Sequence, residues 1–422
     1  MTSFHYVSVA SVLHNEEQKK LLMDSYRCTL QEYGGEELPP EAASAVPDLP
    51  VFIFVLTGGT EAQALSIVRQ LRMVEQGMPV VLLAHPKHNS LPASLEILAR
   101  VRQTGGSGVI LQMDETGRFL DEASAAHVMK VASAIMALQH TRIGVVGKPS
   151  DWLVASSQGA AEAKARWGVE LVDIPLDRLL QDVGRMRTQG YKAPVAGGML
   201  TKASFFREAA MRDVEKSMEI LEALRHIVTE YRLDALTLRC FDLVLQDRST
   251  GCLALSALSD EGIDAGCEGD VPSILALRWL RLLTGEIGWM ANPSRIVQND
   301  ETGTFEMLLA HCTAPRTILQ GYGLRSHFES GLGVAVAGVL APGPVTLVRI
   351  GGTELDRLWF CAAAVIDSPH YEGLCRTQAV VRIQDKDAEA LLSDPLGNHL
   401  VMIRGDHSQA IALFARMKGL RQ

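Results

Sequence analysis

The feature that most constrains this chain is a repeated passage from a short apolar run, through a glycine, into a stretch of helical periodicity. Residues 49–57 read LPVFIFVLT and stop at Gly58-Gly59, and residues 61–76 are amphipathic. Strand, turn and helix follow in that order. The pattern returns with a strand over residues 78–83, a helix over 93–102 and a strand over 108–111. A second series opens at residue 141 with RIGVVG and breaks at Gly147 and Pro149. It continues through an Ala-rich helix ending near Trp167 and returns to a strand in VELVDIP. Strands separated by helices pair in parallel, and a parallel sheet covered on both faces accommodates runs that are apolar throughout.

Residues 203–232 contain neither Pro nor Gly and carry charges on their polar positions, as a helix covering a sheet requires. Residues 234–246 read as a further strand. Beyond residue 316 the character changes, because GVAVAGVLAPGPVTLVRIGG and LWFCAAAVI are strand-like runs joined by Gly/Pro turns. A closing helix is expected over 406–418. The predicted fold class is α/β, with two Rossmann-like α/β domains containing parallel sheets and a smaller β-rich C-terminal domain. The expected boundaries are 1–140, 141–315 and 316–422.

Composition narrows the function. A net charge of -9 gives no attraction to phosphate backbones or anionic lipid, so neither nucleic acid nor a membrane surface is the expected partner. The first residues lack a basic start followed by an apolar core, and no apolar run reaches roughly 18 residues. Seven cysteines, an odd number with no CxxC pair, fit reduced thiols. A cytoplasmic location is expected.

The densest chemistry lies in SDEGIDAGCEGDVPSILALRWLRLLTG. Asp260, Glu261, Glu268 and Asp270 precede an apolar helix with Pro272 in its first turn and Gly285 at its end. Acidic residues there can simply complement a helix dipole. Alternatively, a carboxylate between a strand and a helix start lies where open α/β sheets bind ligands.

CEGDVPS, LLTGE, WMANPSR and LLAHCTAP, together with Gly397-Asn398-His399, resemble the L-fucose/L-arabinose isomerase-like superfamily. TGGTE at 57–61, HPKHNSLPASLE at 85–96 and GKPSDWLVAS at 147–156 extend the resemblance over most of the chain. It implies an aldose–ketose isomerase acting on a free sugar, with a divalent metal, Mn²⁺ or Mg²⁺, as cofactor. The implied metal ligands are Glu268, Asn292, His311 and His399, and the implied catalytic pair is Glu268 and Asp270. His85, Asn89, Ser150, Trp152 and Asn398 are the implied substrate contacts. The resemblance further implies a homo-oligomer whose active site is completed by a neighbouring subunit, and it requires Glu268 and His399 to converge.

Each N-terminal motif also has a local explanation. Gly58-Gly59 suits a tight turn, His85 and His88 suit a loop, Ser150 suits a helix cap, and Trp152 suits either the core or a sugar platform. TGGTE is neither a Walker loop nor a complete GxGxxG.

Aldose–ketose exchange moves a proton between adjacent carbons, so it needs a base, an acid and a means of stabilising an enediolate. Here the sequence departs from the family. Asn292 stands where fucose isomerases carry a metal-binding aspartate, and an amide can coordinate a hard cation but brings no charge and exchanges no proton. Either Asp270, then Asp260 or Glu261, takes the acid–base role, or the reaction differs, or the chain is a divergent sugar-binding protein that does not catalyse.

Overall fold

The computed structural model describes residues 3–39, 42, 49–190, 202–299 and 303–422. Its contacts divide the chain into two compact units, Met1–His140 with Ala410–Arg421, and Thr141–Gln409.

The first unit is built on a parallel sheet of β1 (Phe4–Val9), β2 (Gly35–Glu37), β3 (Val51–Val55), β4 (Val80–Ala84) and β5 (Gly108–Gln112), in the order β2-β1-β3-β4-β5. Every residue of β3 and β4 is buried, which is why these runs are apolar without alternation. Phe4 stacks on Phe52 with ring centroids 4.6 Å apart, and Tyr26 meets Phe54 edge-on at 5.3 Å. Such pairs add to the area they bury.

In the second unit, β6 (Arg142–Val146), β7 (Glu170–Ile174), β8 (Ala235–Leu238) and β9 (Asp264–Cys267) form a parallel sheet in the order β7-β6-β8-β9. Two local readings change here. The expected strand over 234–246 ends at Leu238, and Cys240–Asp247 is a helix whose Cys240 and Leu243 are buried one turn apart. The expected helix over 203–232 begins only at Met211, where the Ala210 N–H donates to Asp213 Oδ2 at 2.7 Å. A further helix, Cys252–Asp260, has Cys252 through Ser259 all buried, so it offers no amphipathic signal.

The rest of this unit is antiparallel. β10 (Trp289–Gln298), β11 (Phe305–His311), β14 (Gly343–Gly351), β15 (Arg357–Asp367), β16 (Thr377–Ile383) and β17 (Leu400–Arg404) close a barrel in the order β10-β11-β16-β15-β14-β17. β12 (Leu319–Arg325) and β13 (Ala335–Leu340) pair separately. The barrel begins at Trp289, upstream of residue 316, because β10 and β11 find their partners in β17 and β16. Alternate residues fill it, among them Met307, Leu309, Val345, Leu347, Leu400 and Met402. Each such side chain contributes roughly 1.5–3 kcal/mol by leaving water. The α/β class with parallel sheets and a β-rich C-terminal region is therefore the observed one. No helix among the described residues is long and apolar enough to cross a membrane.

Candidate metal and sugar site

The parallel sheet of the second unit sets the first component in place. Glu268 directly follows β9, at the carboxyl edge of the sheet, with φ of +62°. Such a backbone is unfavourable for a side chain with Cβ, at roughly 1–3 kcal/mol, and persists only where its surroundings enforce it. The enforcement is visible. The Ser150 N–H donates to Glu268 O at 2.9 Å, and Gly269 passes so close to the next loop that a Cβ would lie 2.6 Å from Lys148 O. Trp152 Nε1 donates to Glu268 Oε2 at 2.6 Å, fixing the carboxylate as well.

The barrel supplies two histidines. His311 ends β11, and its Nδ1 lies 2.8 Å from Thr313 Oγ1. His399 precedes β17 and is fully buried, with Nδ1 2.9 Å from Asp270 Oδ2. Its Nε2 makes no hydrogen bond and lies 3.5 Å from Glu268 Oε1. The two imidazole centroids are 5.5 Å apart. One donor atom each from Glu268, His311 and His399 fall within 4.8 Å of one another.

Behind His399 stands a sealed ion pair. Asp270 is fully buried, caps the helix Val271–Thr284 by accepting from Ser273 N at 2.8 Å, and accepts from Arg349 Nη1 at 3.1 Å. Arg349, on β14, also donates to Ser273 Oγ at 2.8 Å and to Ser156 Oγ. Gly397 is required by this packing, since a Cβ there would sit 2.3 Å from Arg349 Nη2.

The electrostatics follow from these neighbours. Burial disfavours the charged form of His399, yet the carboxylates of Asp270 and Glu268 outweigh it and raise the pKa to about 9. Burial, reinforced by the nearby His399, lowers His311 to about 4. Burial would raise both carboxylates, but His399 and Trp152 hold Glu268 below its ordinary value, and Arg349 with His399 holds Asp270 well below the carboxylate range. A positive charge is thus favoured between Glu268 and Asp270, and a proton on His399 or a bound cation can supply it. One carboxylate oxygen and two imidazole nitrogens, one of them without a partner, suit a divalent cation. The carboxylate that orients His399 through its other nitrogen is the support such ligands commonly have.

A cleft of about 320 Å³ opens beside these donors and is lined by Trp152, Asn292, His311 and Asn398 as well as Glu268. Asn398 Nδ2 donates to Asn292 Oδ1 at 3.5 Å. Phe241 and His327 share the wall, with the Phe241 ring edge-on to Trp152 at 4.9 Å and to His327 at 5.6 Å.

Other expected residues lie elsewhere. Asp270 has no exposure and is committed to Arg349, His399 and Ser273, which leaves it no path to a bound sugar. Asp260 pairs with Arg316 at 2.8 Å, and Glu261 accepts from Arg225 Nε at 3.0 Å, so both carboxylates are occupied. Ser150 acts through its backbone on Glu268, its buried hydroxyl having no partner, and the next helix starts only at Ala160. In the first unit, buried His85 has both nitrogens engaged, Nε2 with Leu56 O at 2.8 Å and Nδ1 with Tyr26 Oη at 3.0 Å. Asn89 is exposed, at φ of +56°, beside the helix Ser90–Gln103.

No family profile matches the chain. It is 22% identical over 301 residues to a protein named sulfoquinovose isomerase from Alkalicoccus urumqiensis, covering 69% of this chain and 67% of that protein. It is 24% identical over 230 residues to proteins of the same name from Priestia aryabhattai and Priestia megaterium. Those matches cover 53% of this chain and 50% of the relatives, so this chain spans about half their length. The similarity is thus to sugar isomerases, at low identity.

Proposed function

We propose that this protein is an aldose–ketose isomerase that acts on a free sugar in the cleft beside Glu268, with Glu268, His311 and His399 holding a divalent metal, Mn²⁺ or Mg²⁺. The observation that carries this reading is the convergence of those three buried donors, with the His399 Nε2 unpartnered, at the carboxyl edge of a parallel sheet. When bound, such an ion supplies Lewis acidity to adjacent carbonyl and hydroxyl oxygens.

The chain's own residues do the rest. Glu268 is the ionised carboxylate facing the cleft and carries the proton between adjacent sugar carbons, its orientation set by the Trp152 indole. Asp270 is a positioning residue, because its carboxylate fixes the tautomer of His399 and touches no substrate. Asn292 and Asn398 offer amide contacts to sugar hydroxyls. Glu329, an exposed carboxylate on the same cleft, is the partner acid that Asn292 is not. Assembly as a homo-oligomer belongs to the same reading.

A divergent sugar-binding protein is the competing reading, and Asn292 is the observation that favours it. An aldose and ketose panel with added Mn²⁺, including sulfoquinovose because of the relatives' name, separates the two. Interconversion of at least one sugar, lost on chelation, is expected. Saturable sugar binding without interconversion, unchanged in Asn292→Asp, would leave the binding protein standing.

A further inference from the structure

Five of the seven cysteines, Cys240, Cys252, Cys267, Cys312 and Cys375, line the cleft that holds Glu268, and all are free thiols. Thiols usually serve cores as small apolar groups, and Cys252 and Cys312 do so, packing with Ala335, Phe328 and Cys375. Cys240 and Cys267 are placed differently. Cys267 is the last residue of β9, and its register partner on β8 is Leu238, two residues before Cys240 opens the helix Cys240–Asp247. The two thiols therefore come from adjacent ends of paired strands, and their sulfurs are 2.9 Å apart. Cys267 is also the residue before Glu268, in the segment whose backbone is held at positive φ.

We propose that Cys240 and Cys267 are a redox-active dithiol, oxidised by hydrogen peroxide entering the cleft to a reversible disulfide. In the first step one thiol gives up its proton as its sulfur attacks a peroxide oxygen, the O–O bond breaks, and the departing hydroxide takes that proton to become water, leaving a sulfenic acid. The second sulfur then attacks the sulfenic sulfur, forming the S–S bond as the S–O bond breaks and a second water leaves. Two thiols lose two electrons and two protons, and one peroxide becomes two waters. A dithiol reductant reverses the change through a mixed disulfide. Closing this bond draws Cys267 toward the helix and shifts Glu268 with it, so the oxidised form holds a divalent ion less well. That consequence rests on the metal reading of the site, whereas the dithiol does not.

The test treats the full-length protein with stoichiometric peroxide, then alkylates it and maps its peptides without reduction. The expected result is a Cys240–Cys267 cross-link, a loss of two alkylatable thiols that dithiothreitol restores, and no such cross-link in Cys240→Ser. Full alkylation of both thiols after peroxide, irreversible oxidation in place of a disulfide, or cross-linking confined to Cys252, Cys312 and Cys375 would overturn the proposal. Mn²⁺ titration of both forms reads the coupling: weaker binding when oxidised supports it, and equal binding overturns it. A protein that binds no Mn²⁺ in either form counts against the metal reading and the coupling, while the cross-link remains decided by the peptide map.

Discussion

His85 and His399 are both buried histidines from motifs that resemble one family, and their surroundings make them different groups. In the first unit, His85 is closed off by Leu56 O on one nitrogen and Tyr26 on the other, and burial lowers its pKa. In the second, His399 has one nitrogen fixed by Asp270 and the other left open toward Glu268 and His311, and its pKa rises to about 9. Burial alone therefore does not make a ligand. What distinguishes His399 is a carboxylate on either side, Asp270 bonded to one ring nitrogen and Glu268 facing the other, which makes no hydrogen bond.

The contrast breaks most readily at its charge. Glu268→Gln removes the carboxylate but no volume, so Mn²⁺ affinity, measured by calorimetry, is expected to fall beyond the roughly 100-fold seen for changes behind a metal's ligands. An unchanged affinity would return Glu268 to a structural role. Arg349→Met, which touches neither cleft nor donors, strips buried Asp270 of its guanidinium partner and leaves it only His399 and the Ser273 N–H. A loss of about 3–5 kcal/mol in urea unfolding is expected, with a smaller fall in Mn²⁺ affinity of roughly 10–100-fold.

Acidity sharpens the same comparison. His399 is protonated below about 9, so binding a cation must displace its proton. Mn²⁺ affinity should then rise with pH, by about tenfold per unit below that value and levelling above it. A flat profile between neutral and alkaline pH would show that His399 does not bind the ion. At the small end, His85→Gln should cost about 1–3 kcal/mol of stability through its lost buried hydrogen bonds. Mn²⁺ affinity should change by less than about twofold, as expected for residues without shared partners.

Much of this arrangement was legible in the sequence, for identifiable reasons. The β–α alternation is local, and the helix Val271–Thr284 displays its own start and stop in Asp270, Pro272 and Gly285. Glu268, His311 and His399 were reached through short motifs. The partner of Asp270 was not, because Arg349 lies 79 residues away on a barrel strand and the pairing has no local signature. An arginine inside the apolar run TLVRIGG was the available signal, since a charge in a buried strand needs a partner. The barrel escaped for the same reason, its closure depending on β10 meeting β17. The helix Cys240–Asp247 read as a strand because its short apolar run gave no clear period.

The central claim is that His311 and His399 bind one cation together with Glu268. Pulsed electron paramagnetic resonance of the Mn²⁺-loaded protein tests it directly, because directly bound imidazole nitrogens couple to the electron spin. Couplings from two histidine nitrogens are expected, falling to one in His399→Gln. A Mn²⁺ spectrum without any imidazole coupling, or one unchanged in His399→Gln, would contradict the account.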